Sequence, residues 1–294
     1  MKVSKSMVLV YVLFVIFSLY SPSFAEEKSG IISEFYLTSL NYTGSLNKDD
    51  GWTSVFYSSF PLETGKIFEF GLGHADITYS DGTPDLKQEE ITLTYSDSGN
   101  MLKNTTTRFG THFILNKEGV ESGGKAIFVD LTCYRPFPEN YGLELAFSNY
   151  DGNSIGNIVQ IGPHYGKWLG HADKNNTLYL ETKAVFIKSF RGVRVDLSDD
   201  VWSSVELSLS GKINRWDHKT TIWGGERVFM VDNGGFVMYN LADRYIGGIL
   251  ATVGYRFSKD FRLGIGAAWQ EYKEAISNEQ VDSTTANLVL TWYF

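Results

Sequence analysis

The chain of 294 residues is short of several common structural devices. It contains one cysteine, Cys133, so no disulfide can close within it. Prolines number only six, which leaves few obligatory breaks in long extended runs. No sustained helical spacing is present. Past Tyr20, no apolar run approaches the roughly twenty residues that a membrane-spanning helix needs. Basic side chains are the minority, 26 Lys and Arg against 34 Asp and Glu, which argues against nucleic acid as a partner. The sequence also lacks G-x-S-x-G, H-E-x-x-H and phosphate-loop patterns.

What is present begins with an export signal. Lys2 and Lys5 precede an apolar run from Met7 to Tyr20, too short for a span, and Ser23-Phe24-Ala25 places small residues where a signal peptidase reads. Residues 1–25 read as a secretory leader cleaved before Glu26, leaving 26–294 as one domain. No cysteine follows directly, which argues against a lipid anchor. An exported chain without disulfides must find its stability elsewhere.

The remaining sequence alternates with period two. Ile91, Leu93 and Tyr95 interleave with Thr92 and Thr94, and Phe109, Phe113 and Leu115 with Arg108, Gly110, His112 and Ile114. Ile127, Val129 and Leu131 interleave with Phe128, Asp130 and Thr132; Tyr141, Leu143, Leu145 and Phe147 with Gly142, Glu144, Ala146 and Ser148. Phe186 opposes Glu181 and Lys183; Val193 and Val195 oppose Arg194 and Asp196; Val205, Leu207 and Leu209 oppose Glu206 and Lys212. These runs are about ten to fifteen residues long, against about five or six for ordinary strands and nine to eleven for a tilted strand crossing a bilayer. Tight connections, read at Ser258-Lys259-Asp260 and Ser198-Asp199-Asp200, coexist with long polar ones. The expected fold is all-β: a closed, antiparallel, up-and-down transmembrane barrel of about twelve strands, with twelve to fourteen allowed. Residues 32–61 read as a hairpin or a lead-in, a turn or bulge falls near Phe190, and 217–244 reads as a loop or an extra hairpin.

In Gly254–Gln270 the apolar face is Tyr255, Phe257, Phe261, Leu263, Ile265, Ala267 and Trp269. Phe261 and Trp269 stand about 20 Å apart along a tilted strand, close to the height of the apolar band between aromatic girdles. The C-terminal stretch TTANLVLTWYF carries Phe294, Trp292, Leu290, Leu288 and Ala286 at alternate positions. It resembles the assembly signal of Gram-negative outer-membrane β-barrels. That resemblance implies an integral protein of the cell outer membrane, inserted by the outer-membrane assembly machinery through its last strand, with lipid and lipopolysaccharide as its surroundings. Tyr255, Phe257, Phe261, Trp269, Trp292 and Phe294 are then girdle aromatics.

The opposite face supplies the candidates for function. Arg108, Asp130, Glu144, Glu181, Lys183, Arg194, Asp196, Glu206, Lys212, Arg256 and Arg262 point into the lumen by parity. Both signs occur, as suits a narrow water-filled passage for small hydrophilic solutes. Mutually neutralising ion pairs in a plugged structural or surface-interaction barrel are the alternative. A lipid- or peptide-cleaving barrel enzyme is a third reading, with His74 polarised by Asp76 near the outer rim. His164 and His171 are spaced wrongly for a ligand pair, so no metal, cofactor or catalytic set is expected. Residues 217–244 either fold inward as a constriction or project outward.

Overall fold

A computed structural model describes residues 30–80, 82–118, 122–134, 138–151, 156–169, 176–190, 199–239, 243–274 and 279–294. Fourteen long strands form one closed barrel: β1 (Ile32–Thr43), β2 (Lys48–Glu63), β3 (Lys66–Tyr79), β4 (Leu86–Ser98), β5 (Thr105–Glu118), β6 (Ser122–Cys133), β7 (Glu139–Asp151), β8 (Asn157–Trp168), β9 (Asn176–Ser189), β10 (Val201–Ile213), β11 (Trp216–Arg227), β14 (Arg244–Arg256), β15 (Phe261–Lys273) and β16 (Gln280–Tyr293). Each pairs antiparallel with its neighbours in sequence, and β1 closes on β16 from Ile32↔Tyr293 to Thr43↔Asp282. Between β11 and β14 lie two short strands, β12 (Val231–Asp232) and β13 (Val237–Met238), joined by a single 3-10 turn. Closure satisfies the backbone hydrogen bonds without an edge, which is how a chain without disulfides stands in lipid.

The count reaches fourteen because two ambiguous stretches both become strands. Residues 32–61 form the β1–β2 hairpin, and 216–227 form all of β11. β9 ends at Ser189 and β10 begins at Val201, with Ser189 N–H donating to Asp200 O; Ser198 of the expected Ser198–Asp200 turn lies outside the described residues. The parity change near Phe190 marks the end of a strand. Val193, Arg194, Val195 and Asp196, and His171, lie outside the described residues.

Strands of twelve to sixteen residues, tilted as barrels require, stand on the order of 30 Å tall. Their outward positions are apolar and open: Leu93, Phe109, Ile127, Leu145, Phe147, Ile161, Phe186, Val205, Ile249 and Ile265 are all exposed. Inward positions are polar and buried, among them Gln88, Thr92, Gln160, Lys183, Ser208 and Thr291. An apolar surface of this extent is sustainable in lipid and not in water. The protein is an integral outer-membrane barrel.

β1 begins and β16 ends at one rim, with the two-residue turns at 64–65 and 214–215; the longest links, 190–200 and 228–243, are at the other. Short turns face the periplasm in such barrels, so the rim where β1 begins and β16 ends is periplasmic. A continuous aromatic string runs along that rim outside the barrel. Trp216 contacts Tyr255 at 4.7 Å, Tyr255 contacts Phe257 at 4.9 Å, Phe257 contacts Phe261 at 6.1 Å and Phe261 contacts Trp292 at 5.7 Å. Phe294 is exposed beside the terminal rim, and Trp269 is exposed on the same outer face of β15 toward the opposite end.

Leu145 lies at the middle of β7 and points outward. Leu145→Arg places a cation at the bilayer midplane and lowers the unfolding free energy by about 2–4 kcal/mol. Urea titration of the barrel in lipid vesicles measures this, and an unchanged midpoint would place Leu145 away from lipid.

Candidate functional site

The lumen holds the chemistry, and its upper part is filled by the chain itself. Beyond Arg227 the backbone leaves the wall and turns inward. Val228, Phe229 and Met230 are fully buried against Ile114, Ile158, Val185, Ile187 and Trp202, all inward residues of β5 and β8–β10. The burial of this apolar stretch holds the segment, and polar contacts fix its position. Gln160 acts as a surrogate strand: its amide nitrogen donates to Val231 O at 2.7 Å, and its amide oxygen accepts from Val231 N–H at 2.9 Å. His112 Nδ1 lies 2.9 Å from Gly235 O and 2.8 Å from the Thr92 hydroxyl. Tyr150 donates its hydroxyl to Tyr239 O at 2.9 Å. Phe236 packs on Tyr57 at 5.2 Å and lies under the Arg108 guanidinium at 5.3 Å. Gly235, at φ 89° with the Phe128 ring where a side chain would be, is a position only glycine fits. At the extracellular rim, Lys48 pairs with Asp243 and lies 4.8 Å from the Tyr272 ring.

Below and around this segment the inward charges form pairs. Lys183 Nζ is 2.6 Å from Glu144 and 3.4 Å from Asp232 of the segment. Arg227 bonds Glu206 at 2.9 Å and the Ser204 hydroxyl at 3.0 Å. Arg108 lies 3.0 Å from Glu69, which also accepts from Tyr57 at 2.5 Å and Thr94 at 2.6 Å. Arg262 grips Asp217 with two nitrogens. Arg256 stacks on Tyr293 at 4.2 Å. His164 Nε2 is 3.2 Å from Asp130. Glu181 is on the inward face with Lys183, and Lys212 is directly across from Asp217.

Sequence parity therefore puts Arg108, Asp130, Glu144, Glu181, Lys183, Glu206, Lys212, Arg256 and Arg262 on one side, but not in one place. Asp130, Glu144, Glu181, Lys183 and Glu206 gather on β6–β10, while Lys212, Arg256 and Arg262 sit at the periplasmic rim on β10, β14 and β15. Glu69, Asp217, Asp232, Arg227 and His164 complete the pairs and were not singled out by alternation. Their partners come from other strands, so no spacing within one strand could show them. His74 is placed outside the lumen: it faces outward, with Nδ1 3.3 Å from Glu89 and its ring 4.9 Å from Trp52. Its partner is thus Glu89 on the adjacent strand and not Asp76, because residues opposite each other across a ladder approach more closely than i, i+2 neighbours.

The middle of the β14–β16 wall differs from the rest, although at its extracellular end Tyr272 and Val281 are fully buried and Tyr245 lies 5.1 Å from Tyr239 of the segment. Thr252, Gly266, Ala268 and Thr285 are small inward residues on β14–β16, and all remain partly exposed. Lys219 points inward from β11 and is exposed, so its part of the lumen admits water.

No family model matches the chain, and no curated protein matches it. Solved structures of similar shape do exist. The Ralstonia pickettii toluene transporter TbuX superposes with a TM-score of 0.59 at 7% identity, covering 91% of this chain and 90% of its own. The CymD monoaromatic hydrocarbon channel gives 0.57 at 8%, covering 91% and 89%. A structure described as a bacterial polysaccharide outer membrane secretin gives 0.57 at 8%, covering 91% and 100%. At such identity the likeness is one of fold: this chain is built like outer-membrane β-barrels.

Proposed function

We propose that the protein is a narrow outer-membrane channel for passive passage of small hydrophilic solutes, with anions favoured. The observation that carries this reading is the asymmetric filling of the lumen. The inward segment packs its apolar residues on the β5–β10 wall, while small, partly exposed residues line the middle of β14–β16, below Tyr245 and the fully buried Tyr272. A lane lined by Thr252, Gly266, Ala268 and Thr285 runs beside the segment. Toward the periplasm it meets Lys212, Lys219, Arg256 and Arg262, against Asp217 and Glu34. This excess of cations draws anions into a low-dielectric constriction. The shared shape with a hydrocarbon channel and a toluene transporter supports a channel in general terms; the charged lining supports hydrophilic cargo.

A plugged structural barrel is the second reading, favoured by the full burial of residues 228–230 and the pairing of most inward charges. Planar-bilayer recording of the folded barrel separates the two. A channel gives steady small openings with an anion-selective reversal potential, and Lys219→Glu moves that potential toward cations. A folded barrel that stays silent would mean the second reading is correct.

A further inference from the structure

Asp130 on β6 and Glu144 on β7 are directly opposite each other in the ladder, two like charges where a sheet ordinarily avoids them. His164 of β8 lies beside them. Gly142, its cross-strand partner, leaves room for the imidazole, which any side chain at 142 would strike. One ligand atom from each of Asp130, Glu144 and His164 lies within 4.8 Å of the others. The His164 side chain is only 7% exposed and its Nδ1 has no hydrogen-bond partner among the described residues, while its Nε2 faces Asp130 at 3.2 Å and the Thr132 hydroxyl at 3.5 Å. Asp130 is 27% exposed and opens the group to the lumen.

The charge around this triad is not balanced. The inward carboxylates of β6–β10 and the segment are Asp130, Glu144, Glu181, Glu206 and Asp232; the cations are Lys183, Lys212 at the periplasmic rim across from Asp217, and Arg227 at the end of β11. Arg227 is taken by Glu206, and Lys183 is shared by Glu144 and Asp232. Arg108, directly across the ladder from Asp130, is taken by Glu69, so among the described residues no lysine or arginine pairs with Asp130 or Glu181, and His164 is the basic group bonded to Asp130. One imidazole nitrogen and two carboxylates, on a water-accessible wall with surplus negative charge, form a donor set suited to a divalent first-row metal.

We infer that Asp130, Glu144 and His164 bind a divalent transition metal ion on the lumen wall beneath the inward segment. Binding takes Nε2 of His164 in its unprotonated form and one oxygen from each carboxylate, with water from the lumen completing the shell. Glu144 then turns from Lys183, which remains paired with Asp232. The site is independent of conduction and would exist in an open or a plugged barrel.

Calorimetric titration of the folded barrel with zinc chloride tests it. The expected result is one ion per chain, with affinity falling about tenfold or more in His164→Ala. His74→Ala and His218→Ala, whose side chains face outward, leave the binding unchanged. Asp130→Asn keeps the shape of the wall and serves in place of His164→Ala should that variant not fold; it loses affinity equally. Zinc binding undiminished in both variants, or no binding at millimolar zinc, overturns the assignment. So does magnesium binding as tightly as zinc, which would make this a carboxylate cluster without a role for the imidazole.

Discussion

Replacing residues 229–239 with a short glycine-serine turn raises single-channel conductance by on the order of tenfold. The segment is the only chain, among the described residues, that leaves the wall to cross the lumen. It contributes Phe229 and Met230 to an apolar cluster with no exposure and sets Phe236 between Tyr57 and Arg108. Removing it opens the centre of a fourteen-stranded barrel to water. The barrel survives because its ladder does not pass through the segment: β11 pairs directly with β14 on either side of the link. Stability falls, since Ile114, Ile158, Val185, Ile187 and Trp202 lose their cover, but closure of the sheet is untouched. Recording from a shortened barrel that still shows heat-modifiable migration decides the matter. Conductance equal to the parent would mean that the lane along β14–β16 alone limits flow.

Lys183→Met is expected to destabilise the barrel by about 2–4 kcal/mol and to loosen the segment. Lys183 is the cation shared by Glu144 and Asp232, and it is nearly fully buried. Methionine keeps its length and removes its charge, leaving two carboxylates facing each other across the joint between wall and segment. The cost falls short of that for a fully buried pair because both carboxylates keep some contact with lumen water. The unfolding midpoint in urea should drop. Adding Asp232→Asn and Glu144→Gln to Lys183→Met should restore most of the loss, because hydrogen-bonding amides can remain without a counter-charge. A triple variant as unstable as the single one would show that Lys183 acts through packing and not through its charge.

Alternation alone determined the inside and the outside. In a barrel, residue parity and wall face are the same quantity, so Arg108, Glu144, Lys183 and Arg262 could be assigned to the interior from their apolar neighbours. The aromatic string through Tyr255, Phe257, Phe261 and Trp292 is legible for the same reason, since lipid selects the side chains at each depth. The strand count was less legible. β11 reads Trp-Asp-His-Lys-Thr-Thr-Ile-Trp, and its outward His218 and Thr220 break the apolar face that marks the other strands. Hydrogen bonds to β10 and β14 hold it regardless of that pattern.

Only the tertiary structure decided which charges meet and what occupies the lumen. Asp130, Glu144 and His164 come from three strands, and their convergence depends on register and on the space above Gly142. The inward course of 228–239 depends on an apolar wall assembled from β5–β10, which exists once the barrel has closed. A one-dimensional pattern records what each residue faces. It does not record what lies across a cavity, because that distance is set by closure and shear of the whole sheet.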